Sequence, residues 1–114
     1  MADQFERELL RGSLDLMVLS VLSNASQYGY MIQQRIDQAS EGRVKLAAGT
    51  LYPLLHKLEA QKLIRSRWET TTGRRRKWYD LNAKGRKRLE TRTKQWNQFA
   101  ECIGGLLNNG LSAT

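Results

Sequence analysis

Residues 10–22 constrain the fold more than any other segment, because their apolar side chains recur every three or four residues. That spacing is typical of one face of an α-helix. Leu16 and Leu19 lie outside this face and make a second side of the helix apolar. A helix that is apolar on two sides has to be covered by other elements on both. We therefore predict that this helix lies at the centre of a small core.

Two further helices are predicted in the first half of the chain, over about residues 29–40 and 49–61. In the third helix, leucines at positions 51, 54, 55 and 58 share one face, and polar and aromatic residues occupy the other. Proline is tolerated in the first turn of a helix, where its missing N–H has no partner. Pro53 therefore favours a helix that begins close to it, with Thr50 as the N-cap.

A β-hairpin and a last helix are predicted after residue 62. Residues 63–69 and 75–81 are rich in β-branched or aromatic side chains, and Gly73 supplies a permissive backbone for the turn between them. Asn82 is the predicted N-cap of the last helix, whose first half is crowded with Lys and Arg. Its second half has the a/d spacing of a helix that packs against another helix. The residues with this spacing are Leu89, Trp96, Phe99, Ile103 and Leu106.

The positive charge of the chain is concentrated in its second part. The formal net charge is +8, yet residues 1–42 hold three basic and six acidic side chains, whereas residues 43–114 hold sixteen and five. Clustered cations are typical of a surface that meets a polyanion, because binding releases the counterions of the polyanion. The alternative is that the basic residues serve only to keep a small protein soluble. The order of the elements has to decide between these interpretations.

Several classes of protein are excluded by what the sequence lacks. Residues 14–22, the longest nearly apolar stretch, are far fewer than the ~20 residues of a membrane span, and the first residues contain no apolar signal region. His56 and Cys102 are the single histidine and the single cysteine, which excludes a disulfide framework and a Cys/His zinc site. No catalytic constellation is evident. We expect a cytoplasmic protein that is not an enzyme and that uses no metal, cofactor or membrane.

The predicted elements follow the order of a winged helix-turn-helix domain: three helices, then a basic hairpin, then a terminal helix. The predicted fold class is mainly α with a small β-hairpin: a winged helix-turn-helix over residues 1–81, and a C-terminal dimerisation helix and tail over residues 82–114, in one compact unit. In this arrangement the third helix enters the major groove of double-stranded DNA, and the wing reaches adjacent phosphates. The alternatives are that Tyr52 and His56 only pack against the second helix, and that residues 74–77 form a solvated tip.

Four motifs resemble the PadR family of transcriptional regulators, and the resemblance covers about residues 8–107. They are Leu-Arg-Gly-Ser-Leu-Asp-Leu at residues 10–16, Tyr-Gly-Tyr at 28–30, Gly-Thr-Leu-Tyr-Pro-Leu-Leu-His-Lys-Leu-Glu at 49–59, and Gly-Arg-Arg-Arg-Lys-Trp-Tyr-Asp-Leu at 73–81. The resemblance implies a bacterial or archaeal repressor that binds a palindromic operator as a homodimer. It also implies the short form of the family, which has a single C-terminal helix.

The positions that match the family's recognition helix and wing, together with Lys77 at the hairpin tip, are the predicted DNA-binding residues. They are Thr50, Tyr52, Pro53, His56, Lys57, Arg74, Arg75, Arg76 and Lys77.

Two features depart from the family pattern. Ala47 and Ala48 stand where members often place Ser or Asn, and His56 stands where a basic residue is common. A neutral imidazole attracts phosphate less than a permanent cation does.

A second copy of the chain is the predicted partner of the terminal helix, because its apolar seam would otherwise be exposed on a small monomer. The predicted dimer interface comprises Leu10, Leu14, Leu89, Trp96, Phe99, Ile103 and Leu106. Cys102 lies next to this seam, and we expect it to be buried.

Trp96 is also a candidate effector site. Some short PadR proteins bind flat, hydrophobic drugs between paired tryptophans, and the resemblance places Trp96 at the matching position. Two indoles that face each other across a dimer axis can sandwich a small aromatic or cationic compound. The preferred interpretation is that Trp96 is only a core residue of the dimer interface, and the effector site is the alternative.

Two other functions stay open on the sequence alone. One is a winged-helix module that binds protein or RNA, and the other is an architectural protein that binds DNA without sequence preference. The basic wing argues against a purely protein partner, and the lack of an RNA-binding aromatic sheet signature argues against RNA. A sequence-specific, DNA-binding repressor is the preferred interpretation.

Overall fold

The computed structural model describes residues 4–71 and 73–112, and its mostly helical fold with a small antiparallel sheet confirms the predicted class. The elements are α1 (Arg7–Arg11), α2 (Leu14–Leu22), β1 (Gln27–Tyr28), α3 (Gly29–Ala39), α4 (Ala48–Ala60), β2 (Ile64–Thr71), β3 (Arg74–Leu81) and α5 (Ala83–Ser112). Within the described ranges, no helix has both the length and the apolar character needed to cross a membrane.

The first predicted helix is divided in two at Gly12 and Ser13, which are weak helix formers. α1 buries none of its residues, whereas α2 buries Val18, Leu19 and Leu22. The central position that we predict for this segment is therefore confirmed for α2. The prediction of a single continuous helix is wrong, because the chain turns between Arg11 and Leu14.

One hydrophobic core joins the helices to the hairpin. α4 contributes Leu51, Leu55 and Leu58, each at most 1% exposed, which confirms the predicted apolar face. α3 contributes Ile32 and Ile36. The other buried apolar residues outside α2 are Val44, Leu46, Leu63, Ile64, Tyr79 and Leu81. Because α4 is anchored along one side, its opposite side is presented to solvent in a fixed orientation.

The predicted hairpin is present, and a third strand joins it. β1 pairs with β3, and β3 pairs with β2, so the order in the antiparallel sheet is β1-β3-β2. Sequence reasoning missed β1 because it is two residues long and its first residue, Gln27, is a buried polar residue. The amide of Gln27 donates a hydrogen bond to the carbonyl oxygen of Val21 at 2.7 Å, which ties the strand to α2.

The register of the hairpin assigns its side chains to two faces. Trp68 lies opposite Lys77, and Arg67 lies opposite Trp78. Directly opposed residues share a face, and successive residues alternate between faces. Trp68, Arg75, Lys77 and Tyr79 therefore share one face, and Arg67, Arg76 and Trp78 share the other. The hydroxyl of Ser66 on the first face bonds to Glu59 of α4, so the first face is turned toward α4.

α4 begins earlier than predicted, and Thr50 is not its N-cap. The N-cap is Ala47, whose side chain makes no capping bond, and the N–H of Thr50 donates to the Ala47 carbonyl at 3.0 Å inside the helix. Pro53 consequently lies in the second turn, where it cannot donate to the carbonyl of Gly49. Gly49 is exposed, so its carbonyl is open to water and the cost of the proline is reduced.

α5 begins at the predicted cap and extends well beyond the core. Asn82 Oδ1 accepts a hydrogen bond from the N–H of Gly85 at 2.8 Å, which confirms Asn82 as the N-cap. Arg92 binds Asp15 of α2 with nitrogen–oxygen distances of 2.7 and 3.0 Å. Residues 93–103 are all exposed, so no other element covers this part of α5 in the single chain.

Candidate nucleic-acid interface

A groove of about 420 Å³ lies between α4 and the hairpin. We name it the wing groove. It is lined by Tyr28, Gly29, Tyr30, Tyr52, His56, Trp68, Arg75, Arg76, Lys77 and Tyr79. Five predicted DNA-binding residues from two separate segments thus meet at one surface. The lining combines cations with aromatic rings, which can together contact phosphates and base edges.

The five predicted residues of α4 all lie on its exposed side. Tyr52 and His56 line the wing groove, whereas Thr50, Pro53 and Lys57 are exposed outside it. This distribution follows from helical geometry, because residues 51, 55 and 58 hold the opposite face in the core. α4 can therefore present this side to a groove of DNA without moving the core.

Tyr52 is both packed and accessible. The residue is 40% exposed. Its hydroxyl lies so close to the start of α3 that a Cβ atom on Gly29 would be 2.3 Å from the Tyr52 oxygen. Tyr52 therefore packs against the second predicted helix, α3, and also remains accessible from solvent. Gly29 permits this close approach because it has no side chain.

The wing cations are held in different ways. Arg74 and Arg75 are exposed at the hairpin tip. The guanidinium carbon of Arg75 lies 4.3 Å from the ring centroid of Trp68, and that of Arg76 lies 4.5 Å from the ring centroid of Tyr28. Within the part of the chain that the structure describes, no carboxylate forms an ion pair with Arg74, Arg75 or Arg76. These three positive charges are therefore available to an anionic partner.

Unlike Arg74, Arg75 and Arg76, Lys77 is paired with a carboxylate among the described residues of its own chain. Its side chain is 27% exposed, and its ammonium lies 3.8 Å from a carboxylate oxygen of Glu59. The same ammonium lies 5.8 Å from the ring centroid of Trp68 and 5.7 Å from that of Tyr79. Lys77 therefore links the hairpin to α4 and presents less of its charge to solvent.

A small polar cluster beneath the wing groove holds α4 against the hairpin. The hydroxyl of Ser66 donates a hydrogen bond to Glu59 Oε2 at 2.5 Å. Burial raises the pKa of the Tyr79 hydroxyl, and nearby Tyr52 and Glu59 raise it further. Tyr79 is therefore neutral over the physiological range. The bond between Ser66 and Glu59 joins β2 to α4.

Four aromatic residues of the wing groove lie outside the set predicted from the sequence. Tyr28, Tyr30, Trp68 and Tyr79 line the groove although none is among the predicted DNA-binding residues. A signal for Trp68 was available, because basic and aromatic residues are interleaved in the hairpin sequence. Tyr28 has no such signal, since its position depends on the short strand β1.

A second groove, of about 790 Å³, runs between α1 and α5. Trp96, Phe99 and Ile103 line it. Leu106 is also exposed, and we name these four residues the α5 seam. The other predicted interface residues, Leu10, Leu14 and Leu89, are partly buried against the protein's own core. The structure thus leaves the α5 seam uncovered within the single chain.

Cys102 is exposed in the single chain, contrary to the expected burial. Successive helical residues are rotated by about 100°, so Cys102 points away from the direction of its neighbour Ile103.

No group of three or more His, Cys, Asp or Glu residues in the described ranges is arranged to hold a metal ion.

The order of α3 and α4, followed by an antiparallel sheet whose hairpin carries exposed arginines, defines a DNA-binding protein of the winged helix-turn-helix class. The profile of the transcriptional regulator PadR-like family matches residues 18–91. The chain belongs to this family. In the residues that the structure describes, the wing is followed by the long helix α5.

Individual relatives agree with this assignment. The transcriptional regulator Rv3488 of Mycobacterium tuberculosis is 31% identical over 100 residues, which cover 87% of this chain and 91% of that protein. The structure of a PadR family transcriptional regulator from Eggerthella lenta is similar with a TM-score of 0.78 and 36% identity, covering 88% of this chain and 86% of that one.

A transcriptional regulator from Clostridium thermocellum is similar with a TM-score of 0.80 and 26% identity, covering 85% of this chain and 95% of that one. These relatives are regulators and not enzymes.

Proposed function

We propose that the protein is a homodimeric repressor that binds a palindromic operator through α4 and the wing, and that works in the cytoplasm. The observation that carries this proposal is the wing groove, in which exposed side chains of α4 meet arginines of the hairpin tip. Two surfaces that are far apart in sequence thereby act on the same duplex. A palindrome is the natural target of a two-fold symmetric protein, because each half-site meets an identical surface.

The exposed side of α4 reads the sequence in this proposal. Tyr52 and His56 are available from the wing groove, and Lys57 is exposed one position further along. Thr50 and Pro53 lie nearer the start of the helix, where backbone N–H groups point toward an approaching phosphate. Direct contacts to base edges in the major groove then give the sequence preference.

The wing supplies affinity that does not depend on sequence. Arg74, Arg75 and Arg76 form no ion pairs with described carboxylates, so pairing them with DNA phosphates breaks no salt bridge that the structure describes. Each neutralised phosphate releases counterions and adds to the salt dependence of binding. Lys77 contributes less direct charge in this proposal, because its ammonium lies close to Glu59.

The dimer forms through the α5 seam. Trp96, Phe99, Ile103 and Leu106 are between 37% and 65% exposed, which is a large apolar surface for a chain of this size. A two-fold pairing of α5 helices covers the seam and orients two copies of α4. Half-sites are then separated by about 34 Å, which is one turn of DNA.

An effector that inserts beside Trp96 would relieve repression. Trp96 is 49% exposed and lines the groove between α1 and α5. A small planar aromatic or cationic compound that stacks on the indole would alter how the two copies pack. Because α5 is continuous from the wing to this groove, a change in the dimer would alter the spacing of the two α4 helices.

The experiment that tests the proposal is selection of bound duplexes from a random pool at about 150 mM salt, followed by sequencing. Enrichment of an inverted repeat with half-sites about ten base pairs apart supports a dimeric sequence-specific regulator. Retention without enrichment points instead to architectural DNA binding. Failure to retain any duplex contradicts the proposal and turns the search to a protein or RNA partner.

A further inference from the structure

Aromatic rings support two of the wing arginines, and this inference rests on the function proposed above. The guanidinium of Arg75 lies over the ring of Trp68 on the face of the hairpin that is turned toward α4, and that of Arg76 lies over the ring of Tyr28 on the opposite face. Arg74, the first cation of the tip, has no described ring contact. The three arginines thus differ in what holds them, although they are consecutive in the sequence.

Stacking orders a guanidinium without using its hydrogen bonds. The guanidinium group is planar and carries its N–H donors around its edge. When one face lies on an indole, the donors remain free for a phosphate, while the side chain has lost much of its conformational entropy before binding. Trp68 is 56% exposed, so its ring is a platform at the surface and not a member of the core.

We propose that Trp68 is a positioning residue for DNA binding, which holds the guanidinium of Arg75 at 4.3 Å from its ring centroid and directs its N–H donors toward a DNA phosphate. Trp68 lines the wing groove together with Arg75, so the oriented arginine lies on the same surface as Tyr52 and His56 of α4. Lys77 lies farther from the ring, at 5.8 Å, and is held by Glu59. Arg75 is therefore the cation that depends on Trp68.

The test measures binding to a mixed-sequence duplex of about 30 base pairs, long enough for two half-sites, as salt is varied. Trp68→Leu keeps an apolar side chain but removes the aromatic face. We expect it to weaken binding about fivefold and to reduce the salt slope by about one. Trp68→Phe keeps an aromatic face, and we expect it to weaken binding less than about twofold.

Double variants separate positioning from a direct contact of Trp68 with DNA. In the Arg75→Ala background, Trp68→Leu should change affinity by less than about twofold, because the arginine that it supports is gone. In the Arg74→Ala background, the full fivefold loss should persist. A loss of equal size in both backgrounds, or no loss in the wild-type background, overturns the positioning role. If the wild-type protein binds no duplex, the proposed function itself fails, which is a different result.

A measurement on the wild-type protein guards against a folding defect in the Trp68 variants. Side-chain Nε–Hε resonances of Arg74 and Arg75 can be assigned with Arg74→Lys and Arg75→Lys. We expect Arg75 to show an upfield shift from the indole ring current and less side-chain motion than Arg74. Equal shifts and equal motion for the two arginines contradict the proposal, whatever the stability of the variants.

Discussion

At the scale of single residues, the contact between Tyr52 and Gly29 joins packing to recognition. A Cβ atom at position 29 would lie 2.3 Å from the Tyr52 hydroxyl oxygen, 2.7 Å from Cζ and 2.9 Å from Cε1. All three atoms belong to the far end of a side chain that is 40% exposed, so the ring can move. We expect Gly29→Ala to redirect Tyr52 and to alter DNA sequence preference, while costing only about 1 kcal/mol of stability.

The control for Gly29→Ala is the same substitution in a Tyr52→Ala background. With the ring absent, alanine at position 29 meets no obstacle from Tyr52 and should cost nothing measurable in urea unfolding. A large loss of stability in both backgrounds would show that some contact other than Tyr52 requires the glycine.

Affinity and specificity should respond to different residues of the interface. We expect Arg75→Ala and Arg76→Ala to weaken binding similarly for all duplexes and to lower the salt slope by about one each, because each removes a phosphate contact. We expect Tyr52→Ala mainly to relax sequence preference, with little change in salt slope. Titrations of a selected duplex and a scrambled duplex at several salt concentrations distinguish the two effects. An unchanged preference in Tyr52→Ala would show that α4 does not read bases through this residue.

At the scale of elements, Gly85 determines how closely α5 can approach Leu63, the residue that precedes β2. A Cβ atom at position 85 would lie 2.0 Å from the carbonyl oxygen of Leu63 and 3.0 Å from its carbonyl carbon. Backbone atoms cannot move aside as a flexible side chain can. We therefore expect Gly85→Ala to lower the free energy of unfolding by about 2–3 kcal/mol, as measured by urea denaturation.

The matched control is Gly105→Ala in the same helix, where a Cβ atom would meet nothing within 4 Å. Alanine has the higher helix propensity, so this variant should be more stable by about 0.5–1 kcal/mol. Equal effects of the two substitutions would show that α5 does not contact Leu63 closely in solution.

The elements that could be predicted from the sequence are those with a strong local pattern. The leucines of α4, the strands of the hairpin and the cap at Asn82 each leave such a pattern, and each is found in the structure. β1 leaves none, because two residues are too few for an alternation to be visible. The start of α4 was misplaced because proline restrains its own turn but does not determine where the preceding turn begins.

The wing groove could be predicted only in part, because its geometry depends on how strands pair and not on a local pattern. Sequence position places Arg75 and Arg76 at the hairpin tip, but only the register shows that they lie on opposite faces beside Trp68 and Tyr28. In the same way, periodicity identifies an apolar face without showing what covers it. Leu89 belongs to the same predicted seam as Trp96, yet it packs on the protein's own core.

At the scale of the whole molecule, the proposed dimer depends on the α5 seam. The chain measures 64 × 35 × 21 Å, and α5 is exposed over residues 93–103. We expect a dimer by light scattering at micromolar concentration. Phe99→Glu should give a monomer, because a carboxylate would be buried without a partner. Gln98→Glu adds the same charge beside the seam and should remain a dimer. A monomeric mass for the wild-type protein at all salt concentrations would contradict the proposed interface.

The dimer also decides whether Trp96 can act as a sensor. If α5 helices pair through the seam, two indoles lie close to the two-fold axis, and a planar compound between them changes the distance between the α4 helices. We expect planar cationic dyes to quench the intrinsic fluorescence of the wild-type protein, and Trp96→Ala to lose this response while keeping the signals of Trp68 and Trp78. The same dyes should then weaken DNA binding by the wild type alone. Identical flat titrations of both proteins would show that Trp96 has only a packing role in the interface, and that release from DNA needs another signal.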